Sequence, residues 1–332
     1  MKIAIIGGGW IGCHLANKFG GDNEITIYEK NPTLFTETSY KNQNRLHLGY
    51  HYARSYETRE LCLSTFDRFI EDYGFATEQV NKNLYCVASN TSLLDYKTYL
   101  KIFDDYNHQE VTSEFENFEG CINTDERYIN FEKIHSYFNS NLKFEKKTIN
   151  PQDLEGLSKN FDLVINATNN HIEDKTIENS FYELTISLIY DKKRQTNFDA
   201  VTVVDGDLFS IYPYKNNSFT VTDVEHTPIE KFLSLDDMDY YIKTQITQEL
   251  VEGKKQKIEN KIKTFYKNFL DDFEYKNYFI STKSKLDLKS DSRYPVITQS
   301  GNIINCFTGK IQGIYLIEDY IKTLIHGKTT TN

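Results

Sequence analysis

Lys2-Ile3-Ala4-Ile5-Ile6-Gly7-Gly8-Gly9-Trp10-Ile11-Gly12 decides the fold, together with Cys13–Gly20 (CHLANKFG) and Glu24–Glu29 (EITIYE) that follow it. An apolar run leads into a glycine turn, a helix-compatible stretch and a second β-rich run ending on an acid. That order is the strand–turn–helix–strand context in which G-x-G-x-x-G binds a dinucleotide. Gly7 permits the tight turn, Gly9 lets the backbone approach a pyrophosphate, and Gly12 lets the helix pack closely on the strand. The helix start offers free N–H groups and a positive dipole end to the phosphates. Glu29 lies 22 residues beyond Gly7, where a carboxylate accepts from a ribose diol. An acid there disfavours a 2′-phosphate, which points to FAD or NAD and away from NADP. The competing reading is an ordinary βαβ unit without a ligand, and the coincidence of all four features weighs against it.

The rest of the chain sets bounds around this motif. With 332 residues it can bury a large core in one or two domains. A hydrophobic content of 39% with 24 Tyr and 22 Phe describes a globular chain. The net charge of −10 argues against nonspecific binding to nucleic acid or anionic membrane. The five cysteines (13, 62, 86, 121, 306) show no CxxC spacing and read as buried free thiols. A strand beginning at residue 2 leaves no signal peptide to expect, and no apolar run nears the ~20 residues of a membrane span. The expected location is the cytoplasm.

Further along, residues 56–73 and 92–106 read as helices, as does a segment from about Asn130 to Leu142. Asn83–Ser89 reads as a strand. Phe161–Ala167 (FDLVINA) is a buried-strand pattern, and residues 181–227 alternate strands and turns. Between 229 and 273 apolar residues recur at helical spacing, with Gly253 expected to divide two helices. Asn302–Thr308 (NIINCFT) runs into Gly309-Lys310-Ile311-Gln312-Gly313 and a final helix. The predicted fold class is α/β: a Rossmann-like domain, a parallel sheet with helices, assembled from 1–75, 127–180 and 290–332. A mainly antiparallel α+β substrate domain comprises 76–126 and 181–289.

Four ordered motifs resemble the FAD-dependent oxidoreductases of the D-amino-acid oxidase superfamily. They are GGGWIG with Glu29; NQNRLHLGYHY (42–52); VINAT (164–168); and FTGKIQGI (307–314). The second is similar to the Asn-x-x-x-x-His-x-Gly-x-Tyr-Tyr segment of the 2-hydroxyglutarate-oxidising branch. Asn169 stands where that family usually has glycine, and His51 replaces the first Tyr of the pair. The resemblance implies FAD, held non-covalently, with attachment through His47 as the alternative. It implies that the Gly7, Gly9, Trp10, Ile11 and Gly12 turn meets the pyrophosphate and that Glu29 and Lys30 hold the ribose. Ser39, Asn44 and Arg45 would then lie along the phosphates or near the flavin. Thr168 would flank the adenine side, and Gly309, Lys310 and Gly313 would run past the ribityl chain.

Around the reacting carbon, His47, His51 and Tyr52 are the candidates for proton handling. Arg293 is the candidate clamp for a substrate carboxylate. Tyr212, Tyr214 and His226 are candidates to line the pocket, against the plain reading of strand tyrosines as packing residues. His47-x-x-x-His51 lacks the Glu of a zinc motif, so no metal is expected. The expected activity is hydride transfer from a C–N or C–OH carbon of a small polar, anionic substrate to the flavin, with a further electron acceptor. The rivals are a flavin-dependent nucleotide-sugar mutase and a non-catalytic FAD-binding protein. Oligomeric state is open.

Overall fold

The structure, a computed structural model, describes residues 1–113, 115–206, 209–287 and 292–329. The chain divides into two units, Met1–Lys41 with Phe131–Phe181 and Lys283–Asn332, and Asn42–Asn130 with Tyr182–Thr282.

The first unit is built on β1 (Lys2–Ile6), α1 (Trp10–Phe19) and β2 (Glu24–Glu29). Ile3 to Ile6 are at most 3% exposed, as a parallel strand covered on both faces requires. β1 pairs in parallel with β2 on one side and with Leu163–Asn166 on the other, so that Ile5 lies opposite both Ile27 and Ile165. Leu163–Asn166 in turn pairs in parallel with Ile303–Phe307, and Val296–Ser300 closes that edge antiparallel. Glu145–Lys146 extends the other edge beside β2. Ala4, Ile6, Tyr28, Val164, Leu157 and Ile172 form one apolar cluster against this sheet. Each buried Ile, Leu or Val among them contributes about 1.5–3 kcal/mol.

The second unit contains a long, largely antiparallel sheet. Its strand order runs Pro228–Phe232, Ser180–Lys192, Ser218–Asp223, Phe209–Lys215, Ala200–Val204, Asn83–Ala88, Phe118–Thr124, His108–Val111. Ala200–Val204 and Asn83–Ala88 are a parallel pair within it. The helix Tyr56–Tyr73 buries Thr58, Leu61, Cys62, Thr65, Phe69 and Tyr73, the three-and-four spacing of one helical face. A small sheet joins Arg45–Leu46 and Thr77–Gln79 to the two sides of Arg127–Ile129. That pairing fastens residues 42–75 to the second unit, whereas the sequence assigned them to the nucleotide domain.

Two further expectations change. Gly253 does not divide the helical region: it sits inside the helix Gln248–Lys263, and the break falls at Ile246–Thr247. Thr247 caps that helix by accepting from the Leu250 amide, which fixes the start where a glycine costing about 1 kcal/mol inside the helix does not. Cys86 and Cys121 are not free thiols but a disulfide. They are direct partners across two antiparallel strands, with Cα atoms 4.1 Å apart. Cys13, Cys62 and Cys306 are buried and take no part in a disulfide.

Candidate active site

In the first unit, the motif-bearing turns lie at the carboxyl ends of adjacent parallel strands, where open α/β sheets bind ligands. Gly7 has φ +101°, and a Cβ there would lie 2.7 Å from the Ala167 carbonyl oxygen. A Cβ on Gly12 would lie 1.9 Å from the Gly7 oxygen, so α1 rests directly on the turn. Gly9 is the N-cap of α1; it supplies no side-chain cap, and the first turn carries no acid. A Cβ on Gly9 would fall 2.8 Å from Ser39 Oγ, and the Trp10 amide donates to that hydroxyl at 2.9 Å. This glycine turn adds no side chain of its own in front of the helix start, where the Ser39 hydroxyl already accepts from the Trp10 amide, and it fits a pyrophosphate. Trp10 and Ile11 contribute backbone there, because their side chains are buried and Trp10 packs edge-on against Phe35 and Phe138.

Glu29 is 7% exposed and accepts from the Gly8 amide at 2.7 Å and the Asn31 amide at 2.8 Å. These bonds aim the carboxylate at the turn, while Lys30 is exposed. Thr168 Oγ1 donates to Asn166 Oδ1 and accepts from the Ile172 amide, holding the turn after the third parallel strand. Asn169 and Asn170 have φ of 56° and 60°. Asparagine tolerates that left-handed conformation, which explains how it replaces the usual glycine. Arg293 packs on the last glycine turn, since a Cβ on Gly309 would meet Arg293 Cδ at 3.1 Å. Lys310 donates its amide to Thr308 Oγ1, and Gly313 lies so close that a Cβ would be 2.1 Å from the same hydroxyl.

In the second unit, the segment 44–52 organises a buried polar cluster. Asn44 takes φ 52°, and its carbonyl accepts from the Ile129 amide. Arg45 does not have the surroundings of a phosphate ligand. Its guanidinium donates to Ser210 Oγ at 3.1 Å, Thr202 Oγ1 at 2.7 Å and Tyr85 OH at 3.3 Å, and lies 4.0 Å from the centre of the Tyr212 ring. Burial would lower its pKa, but Tyr85, Tyr212, Glu126 and Tyr52 outweigh that and raise it. Tyr212 is thereby a stacking partner with a hydroxyl pKa pushed up by burial.

His47 is 5% exposed, and its ring lies beside those of His51, at 5.8 Å between centroids, and Tyr52, at 5.7 Å. Its Nδ1 is 3.4 Å from Glu126 Oε1, an ion-pair distance longer than a short hydrogen bond. Glu126 is a residue the sequence reading missed. It is fully buried and accepts from the Leu48 amide at 2.8 Å, the Gly49 amide at 3.3 Å and Tyr85 OH at 2.6 Å. Burial pushes its pKa up, but His47, Arg45 and the Tyr85 hydroxyl overcome this and hold it at about 2. No motif marked it, because Asp125-Glu126 reads as an ordinary polar turn.

The remaining candidates are engaged elsewhere in the second unit. His226 Nδ1 lies 2.7 Å from Asp223 Oδ2, within the turn that follows Ser218–Asp223. The Tyr214 carbonyl accepts from Tyr128 OH, and its ring packs on Phe279. These contacts describe packing and turn formation.

The fold and the glycine turn define a Rossmann-type dinucleotide-binding protein. Glycine oxidase from Geobacillus kaustophilus superposes with a TM-score of 0.70 at 10% identity, covering 98% of this chain and 94% of that one. Iminodiacetate oxidase from Chelativorans sp. BNC1 gives 0.67 at 7% identity (98% and 95%), and L-proline dehydrogenase from P. horikoshii 0.66 at 13% (98% and 92%). At such identities these likenesses concern the fold. In sequence, the FAD-dependent monooxygenase FPY4 of Fusarium mangiferae is 31% identical over 339 residues, spanning 98% of this chain and 91% of that protein. The FAD-dependent monooxygenase kojA of Aspergillus flavus is 24% identical over 369 residues (98% and 86%). No protein-family model matches the chain. The chain belongs to the family of FAD-dependent oxidoreductases that includes FPY4, and its cofactor is FAD. Among the described residues, no helix is long and apolar enough to cross a membrane.

Proposed function

We propose that this protein is an oxidoreductase of the D-amino-acid oxidase type that removes a hydride from a C–N or C–OH carbon of a small, polar, anionic substrate. Bound FAD supplies the two-electron acceptor. The observation that carries the reading is the buried His47 imidazole, set among His51, Tyr52 and Glu126 on the segment that resembles the oxidising branch. His47 accepts the amine or hydroxyl proton at Nε2 as the hydride departs, and His51 and Tyr52 orient the polar end of the substrate. Arg293, against Gly309, supplies the charge for a substrate carboxylate. In the first unit, the Gly7–Gly12 turn, Ser39 and Glu29 hold the pyrophosphate and ribose of the FAD.

The sequence relatives favour a second reading, because FPY4 and kojA are named monooxygenases. Anaerobic mixing of the purified yellow protein with amines, amino acids and hydroxy acids separates the two. Bleaching by a substrate alone supports the proposal. A cofactor bleached by NADH or NADPH but by no member of the panel, followed once O₂ is admitted by one of its oxygen atoms in the product, supports monooxygenation.

A further inference from the structure

We propose that Glu126 is a positioning residue for His47: its buried carboxylate fixes the imidazole with a proton on Nδ1, leaves Nε2 as the acceptor, and stabilises the imidazolium formed there. The inference rests on His47 being the base. Glu126 stands 79 residues away in the chain and reaches the histidine from the turn between Phe118–Thr124 and Arg127–Ile129. The side chains of His47 and Glu126 are 6% and 0% exposed, so water screens the pair weakly.

Three donors fix the carboxylate. The Leu48 and Gly49 amides hold Oε1, the oxygen facing His47, and Tyr85 OH holds Oε2. The same amides lie one and two residues beyond His47, so one carboxylate sets both the loop and the ring. Gly49, at φ +110°, lets the chain turn there with its backbone close to Arg59. The other polar or charged groups around the ring are His51, Tyr52 and Arg45, the last linked to Glu126 through Tyr85. Arg45 opposes a second positive charge on His47, and Glu126, 3.4 Å from Nδ1, opposes Arg45.

The proton balance is that of a carboxylate–histidine pair. The N–H or O–H proton of the substrate passes to His47 Nε2, and its electron pair forms the C=N or C=O bond. The hydride carries the carbon's bonding electrons to FAD. The Nδ1 proton stays in place, Glu126 stays ionised, and the imidazolium later releases its Nε2 proton to solvent.

Glutamine at 126 would keep an oxygen for the two amides and remove the charge, so Glu126→Gln separates loop support from electrostatic support. The test is an NMR titration of the FAD-loaded, ¹⁵N-histidine-labelled protein, with His47 assigned among the eight histidines through His47→Gln. In the wild type the neutral ring should carry its proton on Nδ1. In Glu126→Gln the His47 titration should move about one pH unit lower, with a mixed tautomer. The acidic limb of the anaerobic reduction rate should follow it. An unmoved titration and tautomer would overturn the positioning role, whatever happens to activity. A His47→Gln enzyme that reduces its cofactor at the wild-type rate instead overturns the base reading. Should Glu126→Gln fail to fold, Tyr85→Phe keeps the charge and removes one competing donor. The titration should then move to higher pH, and no movement would count against the proposal.

Discussion

The guanidinium carbon of Arg45 lies over the Tyr212 ring, 4.0 Å from its centroid, within a set of hydroxyl acceptors inside the second unit. Stacking and hydrogen bonding together make this cation part of a folded core. Arg45→Ala should therefore destabilise the protein by about 3–5 kcal/mol, since it strands buried partners and removes the charge that balances Glu126. Arg45→Lys should recover less than half, because an ammonium cannot fork between Ser210 and Thr202. Urea unfolding checks both, and the loss should appear in the midpoint while FAD affinity of the folded protein is kept.

The Gly7–Gly12 turn, proposed to hold the FAD pyrophosphate, makes the opposite prediction. Gly9→Ala places a methyl 2.8 Å from Ser39 Oγ in the path of the phosphates, so FAD affinity should fall at least about tenfold, roughly 1.4 kcal/mol, with the fold intact. Fluorescence of released flavin on dilution measures it. Gly12→Ala is a different lesion. Its Cβ would lie 1.9 Å from the Gly7 oxygen, forcing α1 off β1, and should lower the melting temperature of the apoprotein as well.

Glu126 should also imprint acid sensitivity on the second unit. Its folded pKa of about 2 lies below the ordinary 4.5, so its contribution is fully present above pH 4.5 and is lost as pH falls toward 2. The size is on the order of 3 kcal/mol. Comparing denaturant unfolding at pH 7 and pH 3, the wild type should lose more stability than Glu126→Gln. Equal losses would contradict the assignment.

What the sequence revealed was local. Residues 2–29 carry strand, turn, helix and acid within one βαβ unit, so their geometry is legible without tertiary contacts. The helix Tyr56–Tyr73 was readable for the same reason, its apolar face repeating at three and four residues. Long-range pairing was not readable. The resemblance placed Arg45 along the phosphates or near the flavin, where an otherwise acidic chain would need a cation. The acceptors of Arg45, Thr202 and Ser210, lie over 150 residues away and gave no signal. Cys86 and Cys121 became partners through strand register, which spacing does not encode. Glu126 was invisible because its role depends on the turn that brings it to Leu48 and Gly49.

The central claim, that His47 takes the substrate proton during FAD reduction, is tested most directly by anaerobic stopped-flow reduction of FAD-loaded wild-type and His47→Gln protein with the same substrate. The account predicts that the variant binds FAD and remains yellow but is reduced about 10²–10⁴-fold more slowly, without the wild-type acidic limb. Reduction at the wild-type rate with an unchanged pH profile would contradict it.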